Sequence, residues 1–136
     1  MKFLVDANVL SEPTRPRPAK RVVDWLREQE RDLVVNPIIL GEMQYGIQLL
    51  SAGARKRRLL EWFFSGIETM RVLDLDAVTA TIWSELLARL KRRGAAMPIK
   101  DSLIAATALQ YRLTVATRNV SDYRNAGVQL INPFED

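Results

Sequence analysis

Five short apolar runs are spaced along the chain, at residues 2–5, 33–35, 71–73, 113–117 and 128–131, and each of the first four leads into a stretch with helical spacing. Runs this short with little polar alternation suit strands buried on both faces. Strands that alternate with helices feed a parallel sheet covered on both sides. The expected fold is therefore α/β, a central parallel β-sheet flanked by helices in an α/β/α sandwich, built by residues 1–136 as one domain. In such sheets ligands bind beyond the carboxyl ends of the strands, so the residues that follow each strand are the ones to inspect.

The intervening helices carry recognisable signals. Asp6 and Asn8 offer caps right after the first strand, and Pro13, Pro16 and Pro18 then break the chain before Val22, Val23, Trp25 and Leu26 resume helical spacing. Asn36-Pro37 reads as an N-cap with proline in the first turn, leading a helix whose apolar positions include Ile38, Ile39, Leu49 and Leu50. A break at Gly53 precedes a second helix with Arg55, Lys56, Arg57 and Arg58. Val78, Ile82, Leu86 and Leu90 predict a stripe on a further helix ending near Gly94. Residues 98–111 predict another helix, rich in small side chains, and residues 120–124 a short one. Trp25, Trp62, Phe63, Phe64 and Trp83 fall at helical spacings and are expected in the core or at a dimer interface.

The chain contains no histidine and no cysteine. This excludes a Ser-His-Asp triad, a cysteine nucleophile, disulfides and zinc sites of the Cys/His kind, so any catalysis falls to carboxylates. The net charge of +4 favours an acidic partner such as nucleic acid. No apolar run is long enough to span a bilayer and the N-terminus lacks the layout of a signal peptide, so a cytoplasmic location is expected.

Three carboxylates stand where solubility does not call for them. Asp6 follows the first strand, Glu42 shares a helical face with Ile38, Ile39 and Tyr45, and Asp101 shares one with Ile104, Ala105 and Ala108. Asn119 follows the strand at 113–117, with Asp122 three residues on. Each has a plain structural reading as a cap, a boundary residue or a first-turn carboxylate facing the helix dipole. Together they suggest a converging oxygen cluster, and like charges brought close need a counter-charge. With only oxygen donors, the cluster would select Mg²⁺ or Mn²⁺ over zinc, which points to phosphoester hydrolysis.

In order and spacing these segments resemble the PIN-domain ribonucleases, and among them the VapC/FitB-type toxins of toxin–antitoxin pairs. The resemblance rests on Phe3-Leu4-Val5-Asp6-Ala7-Asn8, Leu40-Gly41-Glu42-Met43-Gln44-Tyr45-Gly46, Lys100-Asp101-Ser102-Leu103-Ile104-Ala105 and Ala116-Thr117-Arg118-Asn119-Val120-Ser121-Asp122-Tyr123. It implies a catalytic set of Asp6, Glu42, Asp101 and Asn119. Asp6, Glu42 and Asp101 would hold Mg²⁺ or Mn²⁺, with Asn8 and Thr117 orienting them. The family's fourth acidic position falls on Asn119, for which Asp122 would partly substitute. The resemblance also implies cleavage of RNA, a homodimer, and an antitoxin of the VapB/FitA kind that blocks the site. Arg15, Arg17 and Arg118 are candidate RNA contacts, as are the basic runs at 55–58 and 91–93, which also read as solvated helix faces.

Two rival readings differ in class. A receiver-like signalling module is another small doubly wound domain with Mg²⁺-binding acids, and here Asp74 or Asp76 would accept phosphate. It would want paired acids after the first strand and a lysine after a late strand, which the sequence lacks. The other rival is a noncatalytic PIN relative that binds RNA or a partner.

Overall fold

The computed structural model describes residues 1–135. Strands β1 (Phe3–Val5), β2 (Leu33–Val35), β3 (Arg71–Val72), β4 (Thr114–Ala116) and β5 (Gln129–Ile131) form one parallel sheet in the order β3-β2-β1-β4-β5. The helices are α1 (Ala7–Leu10), α2 (Lys20–Glu28), α3 (Pro37–Gln48), α4 (Ala54–Thr69), α5 (Ala77–Arg92) and α6 (Ile99–Tyr111). The expected α/β/α sandwich is thus the fold observed. A receiver-like domain has the order 2-1-3-4-5, so the sheet order overturns the signalling alternative. Asp76 instead caps α5, and hydrogen bonds from Thr79 hold its carboxyl below the usual range.

Strand alternation divides the interior in two. Leu4 and Val115 face a large core with Ile39, Met43, Phe63, Leu86 and Ile104, drawn from α3 to α6. Their neighbours Val5 and Ala116 face a smaller core with Val9 and Val22, from α1 and α2, joined by Trp25 packed edge-on against Phe3. Four buried small residues of α6, Ala105, Ala106, Thr107 and Ala108, let that helix sit close to its neighbours.

Local chemistry fixes where the elements begin and end. Asn36 caps α3 by accepting from the Ile39 amide at 3.0 Å, and its amide donates to Thr107 Oγ1 at 3.0 Å. A buried side chain thereby ties the start of α3 to the middle of α6. Helix α5 ends on Gly94 at φ +65°, where the left-handed turn lets Ala95 N–H reach the Leu90 carbonyl at 2.9 Å.

Two expectations are corrected. Leu49 is the C-cap of α3 and mostly exposed, and Leu50 lies beyond the helix. Val78 is exposed, because the capping box between Asp76 and Thr79 turns Thr79 inward and Val78 out. On α4 only Phe63 of the aromatic run enters the core, while Trp62 is 41% and Phe64 53% exposed. A helix lying on a sheet buries one stripe, and residues on either side of it stay outside.

Candidate active site

Chain order changes direction at the centre of the sheet. From β1 the chain moves outward to β2 and β3, then returns to the other side of β1 as β4 and β5. The switch therefore lies between β1 and β4, and the crevice beyond their carboxyl ends is where an α/β sheet places its ligand. Asp6 follows β1 and Thr117 follows β4, joined by the Asp6 N–H donating to the Ala116 carbonyl at 2.9 Å.

Asp6 is 4% exposed and densely held. Its Oδ1 accepts from the Ala7 amide at 2.8 Å, so it does cap α1. Its Oδ2 accepts from Thr117 Oγ1 at 2.8 Å and from Asn8 Nδ2 at 3.4 Å. Thr117 Oγ1 in turn accepts from the Asn119 amide at 3.0 Å, and Asn8 Oδ1 accepts from the Arg118 amide at 3.0 Å. Capping and site-building are not alternatives here, since one carboxylate oxygen does each.

Glu42 reaches the same crevice from α3 and Asp101 from the first turn of α6. Glu42 Oε2 lies 3.4 Å from Lys100 Nζ, while its Oε1 is buried with no hydrogen-bond partner among the described residues. Burial lifts the Glu42 pKa, the charge of Adjacent Asp6 adds to this, and Lys100 opposes it. Burial also pushes the Asp101 carboxyl up to about 6, aided by the charges of Asp6, Asp122 and Glu42 and opposed by a hydrogen bond from Tyr123.

Tyr123 is the site residue that sequence reasoning passed over, although it closes the fourth motif. It is fully buried, with its hydroxyl 3.4 Å from Asp6 Oδ2 and 3.3 Å from Asp101 Oδ1. One proton is shared between two carboxylates. Burial and the three acidic charges raise the pKa of the phenol, keeping it a donor. The available signal was its place at the end of that motif, four residues after Asn119.

The remaining candidates divide. Asn119 is exposed, and its carboxamide makes no hydrogen bond among the described residues. Asp122 is exposed and acts on Asp101 through charge. The Arg118 guanidinium stacks 4.4 Å over the Phe134 ring. Arg15 Nε pairs with Glu12 Oε1 at 3.3 Å, and buried Glu12 also accepts from the Ala19 amide, which pins the proline loop. Arg17 is exposed in that loop.

Among the described residues no three acidic side chains close into a ready ligand set. Asp6 and Asp101 are linked through Tyr123, and Glu42 joins them by charge. The donor chemistry nonetheless fits a hard cation. All the donors are oxygen, one buried carboxylate oxygen is unpartnered, and Lys100 is the one positive side chain that meets this cluster among the described residues.

A family model described as PIN domain matches residues 3–127. The chain is 37% identical over 138 residues to Toxin FitB of Neisseria gonorrhoeae, covering 98% of this chain and 99% of that protein. It is 32% identical over 137 residues to VapC ribonuclease Y4jK of Sinorhizobium fredii, covering 98% of each. The solved structure of FitAB bound to an IR36 DNA fragment matches with a TM-score of 0.91 at 36% identity, covering 98% of this chain and 96% of that one.

Proposed function

The chain belongs to the PIN-domain family, in its FitB/VapC group, and from that premise we propose that it is the ribonuclease toxin of a toxin–antitoxin pair, using a divalent cation held by Asp6, Glu42 and Asp101. The observation that carries this reading is the acidic crevice at the switch point, where coupled carboxylates include a buried oxygen with no partner. Mg²⁺ or Mn²⁺, when bound, would supply an activated water and offset charge on the phosphate.

The chain's own residues have distinct tasks. Thr117 and Asn8 hold Asp6 in one orientation beside the crevice. The Tyr123 hydroxyl spaces Asp6 and Asp101 and keeps a donor on both. Lys100 neutralises part of the charge on Glu42. With no histidine in the chain, no imidazole takes the proton from water, so proton transfer falls to the carboxylates. Asn119, a carboxamide at the family's fourth acidic position, would contribute an oxygen without charge, with Asp122 supplying negative charge nearby.

Residues 1–136 would act as one PIN domain, paired as a homodimer and held inactive by an antitoxin of the VapB/FitA kind. Relatives solved as FitAB and VapBC complexes support a protein partner. No helix of the described residues is long and apolar enough to cross a membrane, and we place the activity in the cytoplasm.

The test is cleavage of purified RNA. Wild type should cut with Mg²⁺ or Mn²⁺, stop with EDTA, and lose the activity in Asp6→Ala and Asp101→Ala while both remain folded. An Asp6→Ala protein that cut as fast as wild type would sink the proposed site.

A further inference from the structure

A groove of about 400 Å³ is lined both by Asn8 and Glu42 of the acidic site and by Arg15, Arg55 and Trp62. An adjoining depression of about 370 Å³ shares Arg55 and Trp62 and adds Arg58. Each lies in the size range of small-ligand sites, about 300–1,000 Å³. On α4 the offsets from Arg55 to Arg58, Leu59 and Trp62 are three, four and seven residues, which puts all four on one face of the helix.

We propose that this track binds a single-stranded RNA segment flanking the bond to be cut, with Arg15 and Arg55 on phosphates and Trp62 against a base. The proposal rests on the ribonuclease reading above and extends it to a substrate subsite. Among the described residues Arg55 and Arg58 make no ion pair, so their charge is available to a ligand. Arg15 is braced by buried Glu12 and stays 64% exposed, a cation held in place over the groove rather than free to wander. Trp62 is 41% exposed beside these cations. A solvated basic face needs no concavity and no indole, whereas a strand of RNA uses both. The polarity of the track also favours RNA over an acidic protein segment. Its cationic stretch takes phosphates, and its acidic end is where a phosphate arrives together with the divalent cation.

Arg57 provides the control, being exposed on the same helix but off the groove-lining face. A labelled single-stranded RNA oligonucleotide is titrated into the Asp101→Asn chain, which should bind without cutting. Arg55→Ala in that chain should weaken binding about 5- to 10-fold and lower the slope of log K against log salt by about 0.7. Trp62→Leu should weaken it about 5-fold or more and abolish RNA-dependent quenching of indole fluorescence. Arg57→Ala should bind as the parent does. Thermal melts accompany each variant, and if Trp62→Leu melts early, Trp62→Phe should bind more weakly than the parent while folding.

Equal binding by Arg55→Ala and Arg57→Ala would overturn the proposal, as would capture of an acidic peptide in place of RNA with the same Arg55 dependence. Cleavage by wild type with a KM unmoved by Arg55→Ala and Trp62→Leu would remove the subsite and leave the nuclease. Arg55-dependent binding of RNA by a protein that cuts nothing would keep the subsite and remove the nuclease.

Discussion

Replacing Asp101 with asparagine should make the cation-free protein more stable while abolishing its cleavage of RNA. Burial desolvates the Asp101 carboxyl and the charges of Asp6, Asp122 and Glu42 add to this, lifting it from 3.8 to about 6. At about 1.36 kcal/mol per pH unit, ionising it in the folded chain costs about 3 kcal/mol. Solvent screening of this half-buried group reduces that to about 1–1.5 kcal/mol. Against the substitution, a first-turn carboxylate gains about 0.3–1 kcal/mol from the helix dipole, which asparagine forfeits. Asparagine keeps an oxygen to accept from Tyr123, so the net gain centres on about 0.6 kcal/mol within a range of about 0–1.2, or about 2 °C in Tm for a chain of this length.

The sign with pH follows from the same shift. A carboxyl whose folded pKa is raised gives the folded state more bound protons, so wild-type stability in EDTA should fall as pH rises from about 4 to about 6. Glu42 is shifted in the same direction and adds to the fall. Asp101→Asn should flatten that fall. Excess Mn²⁺ should then reverse the ranking, since at about 100 times its Kd a cation adds about 2.7 kcal/mol to a chain that binds it. Melts of both proteins at pH 7.5 and 4.5, with EDTA and with Mn²⁺, decide the matter. An Asp101→Asn protein that melted at or below wild type in EDTA at pH 7.5 would refute the electrostatic account.

Other substitutions test the surrounding frame. Tyr123→Phe removes the proton shared by Asp6 and Asp101 and should cost about 1.5 kcal/mol in urea denaturation with EDTA present, the long contacts putting it at the low end for bonds to charged groups. Asn36→Ala deletes both the α3 cap and the tie to Thr107, and should cost about 2–3 kcal/mol by the same measurement. Arg112 ends α6 at φ +55°, so Arg112→Gly should relieve left-handed strain and raise stability by about 0.5–1 kcal/mol, read as a higher urea midpoint at constant slope.

The sheet was legible because strand-ending residues carry the signals that physics requires there. Asn36 before Pro37 and Gly94 after α5 do in the structure what their residue types predict. Exposure on α4 was less legible, since periodicity tells which residues share a face but not how wide a stripe the sheet will cover. Trp62 and Phe64 sit just outside that stripe. The same limit hid the groove, because a run of arginines and a tryptophan read as a helix face until α3 and the proline loop form the facing wall.

The acids show a different limit. Their positions after β1, on α3 and at the start of α6 follow from sequence, and their electrostatic coupling follows from the topology that brings those points to one crevice. What links Asp6 to Asp101 is a phenol, and a tyrosine closing a polar motif gives no sign of whether its hydroxyl meets solvent, backbone or carboxylate. That choice is made by tertiary packing, which buries the ring completely and leaves two carboxylates within reach of its hydroxyl. The site therefore combines groups held rigidly, Asp6 by three side-chain donors, with one held loosely, Glu42 by a single exposed lysine. On that asymmetry, arrival of a cation should reorganise Glu42 far more than Asp6, because moving Glu42 gives up one long contact and satisfies an oxygen that has none.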